Sequence, residues 1–416
     1  MKKDRKEGGK VPNLRFPEFT GEWEEYRVSD VLEFFPTNSL SWDQLEYGTD
    51  NVYNLHYGLI HKGIPTQIKL DKCRLPNIKK EFIPKNYTLC EDEDVAFADA
   101  SEDTNDVGKV VEFLNCQNKN IVCGLHTIHG RDKNSLTIKG FKGYAFSSKE
   151  FRNRIRKLAQ GTKIYSISPK NFKDITIGIP SKEEQSKIAT LLRLIDERIS
   201  TQNKIIEDLK KLKTALVDRL YYPHIRFDGF YRPWTKTTLG KITNNFNRRN
   251  KEKIIYPMYS VTNDQGFVKQ SDKFGDREMV GEDITSYKIV KSREFAYNPA
   301  RINVGSIARF NDSQPCMISS LYVCFSLLEG IDSDWVLFLL KSKRINFYYD
   351  VYGEGGVRVY LFYPNFSRIK ISVPEHEEQI KIGMFISKID ERIQNESDLC
   401  LAFQQQKSYL LKQMFI

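Results

Sequence analysis

The chain has 416 residues, a net charge of +10, and 40% hydrophobic and 28% charged residues, the balance of ordinary globular protein with room for two domains. No run of eighteen apolar residues is present, which argues against a helical membrane span, and the basic start MKKDRKEGGKVPN has no apolar core behind it, which argues against a secretory signal. Seven cysteines at irregular spacing predict reduced thiols in a cytoplasm rather than a disulfide framework.

Residues 1–13 read as a flexible basic tail. The segment LRFPEFTGEW (14–23) follows, and its Phe16, Phe19 and Trp23 return as Phe227, Phe230 and Trp234 in IRFDGFYRPW (225–234). In the long middle that comes next, the acidic run EDED (91–94) ahead of apolar VAFA predicts a turn, and NIVCGLHTIHGR (120–131) alternates like a strand running into a loop. The middle closes with GTKIYSISPKNFKDITIGIP (161–180), matched by GVRVYLFYPNFSRIKISVP (356–374), a pairing that sets Lys163 and Tyr165 against Arg358 and Tyr360. Alternation in KDITIGI (173–179) and RIKISV (368–373) predicts a half-buried strand in each.

EEQSKIATLLRLIDERI (183–199) then repeats as EEQIKIGMFISKIDERI (377–393), with ten of seventeen positions identical at an offset of 194. Chance does not produce this, so the chain is one unit (14–222) followed by a second copy (225–416). In the first copy Ile188, Leu192, Ile195, Ile199, Ile206, Leu209, Leu216 and Leu220 fall on a 4-3 spacing in which Gln202 and Lys213 hold two seam places. The second copy gives Ile382, Ile386, Ile389, Ile393, Cys400, Phe403, Leu410 and Met414, with Glu396 and Lys407 in the same two places. Ser181 and Glu184 form a capping box at the first start, and Pro223 stops that helix. Helices of some 38 residues, roughly 57 Å at 1.5 Å per residue, need a partner along so narrow a seam; each is expected to find it in the other, the alternatives being its own globular unit alone or an identical helix of another molecule.

In the second middle, Asn263-Asp264-Gln265-Gly266 predicts a turn and DWVLFLLKSKRINFYY (334–349) a helix. The expected fold is α+β: two mixed α/β domains (14–180 and 223–374) separated by two long antiparallel helices (181–222 and 375–416) forming a coiled coil, with a pseudo-two-fold internal repeat. Charge follows this division. The long-helix segments carry +2 and −2, whereas 109–180 carries +10 and 223–374 carries +7, which points to an anionic partner for the middles.

Catalytic constellations are missing. There is no G-x-x-x-x-G-K-[ST] loop, and Gly353-Glu354-Gly355-Gly356 lacks the flanking strand and helix of a dinucleotide site. Cys116, Cys123, His126 and His129 have zinc-binding types, but their spacing fits no common finger, and buried cysteine with exposed histidine explains them as well. No metal is expected.

The twin openings, the strand-Pro-x-x-x-E-Q junctions IPSKEEQSKIA and VPEHEEQIKIG, the paired IDERI helices, and the segments DEDVAFADAS, EFAYNPARINVGSIARF, CGLHTIHGR and MISSLYVCF resemble the specificity subunit of type I restriction–modification systems. The resemblance implies two target-recognition domains, each reading half of a bipartite double-stranded DNA site, with the long helices as a ruler. It implies two modification subunits carrying S-adenosylmethionine and two motor-nuclease restriction subunits using ATP and Mg, with no catalysis in this chain. Because the two middles differ, the implied site is asymmetric. The expected DNA contacts are His126, Thr127, His129, Arg131, Lys163 and Tyr165 in the first unit, and Asn298, Arg301, Asn303, Arg309, Ser320, Tyr322, Arg358 and Tyr360 in the second, Arg forking to guanine or phosphate and Asn pairing with adenine. The competing readings are an enzyme with its own active site and a scaffold of duplicated coiled-coil units without DNA readout.

Overall fold

The computed structural model describes residues 10–70, 73–116, 119–161, 163–221, 225–271, 283–355 and 359–416. Pro223, Arg358, Gly356 and most of the basic tail lie outside the described residues. The chain forms two compact units, 1–203 with 398–416 and 204–397, so each long helix contributes one half to each unit.

In the first unit a five-stranded sheet runs in the order Leu32–Phe35, Thr127–Asp132, Val95–Ala98, Val110–Leu114, Gln67–Lys69, antiparallel except for the last pair. Both faces are covered, and alternate residues sort between two cores. Val95, Phe97, Val110 and Ile128 join the cluster with Trp23, Phe141 and Phe172, while Ala96, Ala98, Val111 and Phe113 join Leu55, Ile68 and three cysteines. A smaller sheet (Ile121–Cys123, Tyr53–Leu55, Asn77–Ile78, Leu45–Glu46) stands beside it. The second unit repeats the plan. In its four-stranded sheet Thr243–Phe246, Val323–Leu327, Phe295–Tyr297, Ile307–Arg309, Phe295, Tyr297, Ile307 and Phe325 face one core, and Ala296, Ala308 and Cys324 the other. The Asn263–Gly266 turn closes the hairpin Tyr259–Thr262/Gly266–Lys269.

The conserved-spacing segments build the same junction twice. Glu24–Arg27 pairs antiparallel with Thr176–Ile179, opening on Glu24 opposite Ile179; Thr235–Thr238 pairs with Lys370–Val373, opening on Thr235 opposite Val373. Arg15 grips Glu184 with two bonds of 2.7 Å, and Arg226 grips Glu378 at 3.0 and 2.7 Å. Gln185 donates to Pro180 O and accepts from Ile138 N; Gln379 donates to Pro374 O and accepts from Asp332 N. The repeated Glu-Gln pair is thus the clamp between domain and helix. It also corrects the capping box: Ser181 Oγ accepts from Glu184 N, but the Glu184 carboxylate serves Arg15 instead of reaching back.

The long helices are Lys182–Leu220 and His376–Gln413. All the expected seam positions are buried or half-buried, Gln202, Lys213, Glu396 and Lys407 included. In the first unit Lys407 Nζ meets Asp196 at 2.6 Å and Cys400 Sγ approaches Asn203 Oδ1 at 3.4 Å; in the second Lys213 Nζ meets Asp390 at 2.6 Å. In the first unit residues rising along one helix meet residues falling along the other, so the helical halves there are antiparallel. Each lysine also covers a domain aromatic, Tyr144 at 5.6 Å or Phe338 at 5.1 Å. Gly383 is required by packing, since a Cβ there would sit 2.8 Å from Asp332 Oδ1 and 3.1 Å from Trp335 N.

The single helix expected over 334–349 is two, Ser333–Leu340 and Lys343–Tyr352. Ser342 breaks it, because its hydroxyl caps the second helix by accepting from Ile345 N. Ser148 does the same in the first unit, between Phe141–Ser147 and Lys149–Leu158.

Candidate nucleic-acid interface

Both units bring the same two pieces of chain to one edge. In the first, the turn after Val95–Ala98 meets the hairpin that closes at Gln160 and Ser166: Ile167 N donates to Asp99 O at 2.8 Å. In the second, the turn after Phe295–Tyr297 meets the hairpin that closes at Glu354 and Tyr360: Leu361 N donates to Pro299 O at 3.0 Å. Gly161 and Gly355 lead these hairpins at φ 138° and 111°. At Gly161 a Cβ would lie 1.8 Å from Ile164 O, so only glycine fits.

This register corrects the sequence pairing of Lys163 and Tyr165 with Arg358 and Tyr360. The structural partner of Tyr360 is Ser166, one residue on, because the closing pairs are Gln160–Ser166 and Glu354–Tyr360. A one-residue slip reverses every side chain. Tyr165 accordingly packs against the core, while Tyr360 stacks on Phe362 with centroids 6.2 Å apart and planes 10° apart. Lys163 is exposed.

In the second unit this edge is a cleft of about 740 Å³ lined by Asn298, Pro299, Ala300, Arg301, Asn303, Val304, Leu321, Tyr360 and Phe362. Leu321 is 77% exposed, Val304 54% and Phe362 50%, a large apolar display beside an exposed guanidinium, Arg301. Asn303 donates to Asp350 at 3.0 Å and Asn298 accepts from Ala300 N. Ser320 is exposed. Tyr322 is half-buried and its hydroxyl accepts from Val261 N. Arg309 lies apart from this edge, held by Asp334 and Ser333 at 2.8 and 2.6 Å.

In the first unit His126 stands out of the sheet at φ 55°, with Nδ1 3.1 Å from Asp99 and its ring edge-on to Tyr57 at 5.1 Å. Burial pushes the Asp99 carboxyl up, against the opposing effect of His126. Tyr57 leads to His56 and then Trp42, with centroids 4.7 and 4.4 Å apart, and Lys62 lies 5.6 Å over the exposed Trp42 ring. This row of aromatic and histidine rings was not picked out from sequence. Its parts are scattered over 42–126, and no spacing rule joins them.

Three expected contacts lie elsewhere. Thr127 and His129 are buried, and Thr127 Oγ1 donates to Gly124 O. Arg131 is committed to Asp94 through Nε and Nη2, each at 2.8 Å, and to Glu91. Their strand lies between two neighbours with both faces covered, so alternation exposes neither set. His129 Nε2 also meets Asp94, at 2.7 Å. Burial works to raise Asp94, but the hydrogen bonds from Arg131 and His129 outweigh it and hold the carboxyl low. Of the four metal-type residues noted in the sequence, Cys123 and His129 come together, joined by Cys90, while His126 turns outward to Asp99.

One α+β module is built twice, with different side chains at the corresponding edge in each copy. The model of the type I restriction modification DNA specificity domain matches residues 20–211 and 236–399, and the chain belongs to that family. It is 31% identical over 147 residues to a type I specificity subunit of Mycoplasma genitalium, spanning 33% of this chain but 38% of that relative. It is 24% identical to the MjaX specificity subunit of Methanocaldococcus jannaschii, over 91% of this chain and 89% of the relative. The crystal structure of the type I S subunit from M. genitalium shares the fold, with a TM-score of 0.57 at 18% identity over 98% of this chain and 99% of that one. Among the described residues no helix is long and apolar enough to cross a membrane.

Proposed function

We propose that the chain reads double-stranded DNA for a cytoplasmic type I restriction–modification complex, with 14–180 and 223–374 as two target-recognition domains on one bipartite, asymmetric site. The observation that carries this is the duplicated edge platform. Its closing pair and its hydrogen bond to the neighbouring turn recur in both units, but one copy offers His126, Lys163 and the Trp42–Tyr57 row, the other Arg301, Asn303 and the Tyr360–Phe362 pair. Equal scaffolds with unequal side chains suit two different half-sites. Arginine and lysine at the edges supply phosphate affinity, and the polar side chains beside them face base edges. Two readers on one polypeptide gain effective concentration on a single duplex.

Chemistry belongs to partners in this reading: two modification subunits with S-adenosylmethionine and two restriction subunits with ATP and Mg. The long helices set the spacing of the half-sites, as a flexible linker would not. The test is to co-express the chain with the modification subunit encoded beside it and to map adenine methylation genome-wide. One bipartite motif with unlike halves is expected. Methylation by this chain alone, or none with partners present, overturns the reading.

A further inference from the structure

Cys90, Cys123 and His129 are 4%, 2% and 0% exposed, and one ligand atom from each lies within 4.8 Å of the other two. The thiols come from separate segments brought together by the backbone bond from Cys90 N to Ile121 O, 2.8 Å. Their Sγ atoms are 3.6 Å apart. That is far beyond a disulfide bond of roughly 2.05 Å and close to the ~3.8 Å that two thiolates take on a tetrahedral ion with metal–sulfur bonds of about 2.3 Å.

His129 is prepared for the same task. Asp94, itself fully buried, takes Nε2 at 2.7 Å, and is fixed in turn by Arg131 and by Glu91 N at 2.8 Å. A carboxylate on one ring nitrogen places the proton there and leaves a lone pair on the other, the outer-shell arrangement of metal-ligating histidines. That other nitrogen, Nδ1, is buried and has no hydrogen-bond partner, which leaves its lone pair open to a ligand.

We propose that Cys90, Cys123 and His129 form a structural site for a thiophilic d10 cation, zinc(II) or copper(I). Binding releases the two thiol protons and forms two metal–sulfur bonds and one metal–nitrogen bond, with no change of oxidation state. Three soft ligands satisfy copper(I); zinc(II) takes a fourth. The site ties the end of Ile121–Cys123 to Thr127–Asp132 and so braces the turn 124–126 that presents His126. That consequence for DNA rests on the proposed function, whereas metal binding is measured without DNA.

The full-length chain, purified reduced and without chelator, is assayed for zinc and copper; the reduced apo-protein is then titrated with cobalt(II), zinc(II) and copper(I). Near one equivalent per chain is expected, with thiolate-to-cobalt charge-transfer absorption and a higher melting temperature on adding the native ion. Cys90→Ser/Cys123→Ser should lose at least tenfold in bound metal, and Cys73→Ser should keep it. The ion retained distinguishes zinc from copper. Wild-type apo-protein that takes up no stoichiometric metal and shows no charge-transfer band overturns the proposal, whether or not the double variant folds. So does unchanged metal content in a folded double variant.

Discussion

His56 shows how one side chain ties the stability of the first unit to pH. It caps Tyr57–His61 by accepting from Gly58 N at Nδ1, 3.1 Å, so that nitrogen must stay unprotonated. Burial pushes its pKa down to about 4, and the positive charge of His126 and Lys62 adds to the effect. In the unfolded chain the group titrates near 6.5. Between those values the unfolded state binds more protons than the folded one, so stability is full above about 6.5 and is lost as pH falls toward 4. The full shift from 6.5 to about 4 sets an upper bound of about 3.4 kcal/mol on the loss. Chemical unfolding of wild type and His56→Gln across pH 4–7 should show a sloping difference. Parallel curves would mean that His56 is not the titrating group. At the same scale, Arg301→Ala should weaken DNA binding by the assembled complex and reduce its salt dependence by about one charge, whereas Arg309→Ala, held by Asp334 and Ser333, should lower stability and leave the salt slope unchanged.

Elements carry the duplication. The 4-3 seam was legible because apolar residues kept one spacing through both copies, and the two lysines standing in it, Lys213 and Lys407, find their explanation in Asp390 and Asp196. Such polar seam positions fix register at some expense in stability. Lys213→Asp should destabilise the second unit by about 2 kcal/mol, and adding Asp390→Lys should recover most of it; thermal unfolding of the double variant measures the coupling. The clamp residues Glu184 and Glu378 were visible as a repeat, though not as clamps, since their partners Arg15 and Arg226 lie more than 150 positions away. What sequence could not give was the hairpin register at Gly355, where two adjacent glycines allow either pairing. The burial of His129 was equally hidden. A strand covered on both faces reads the same as one covered on one face when its residues are Thr, Ile, His and Gly. Cys90 joined Cys123 through one backbone hydrogen bond between distant segments, from Cys90 N to Ile121 O, which no spacing rule reaches.

For the whole molecule, the proposed function would make half-site identity, set by the two domains, and half-site spacing, set by the two long helices, separable properties. Inserting one heptad into both long helices preserves the seam, and in a methylation map it should widen the unspecified gap while leaving both half-sites as they were. An unchanged gap with altered half-sites would count against the helices as spacers. The charge pattern has a further consequence. Every copy of the long helix holds an aspartate (Asp196 or Asp390) and a lysine (Lys213 or Lys407) at the same interval, so each is plug and socket at once. A polypeptide stopping after the first helix would keep both fittings, and two such halves have the complementarity to mate with each other. On the proposed function their grip would be palindromic, and an asymmetric target would then come from divergence between the two domains.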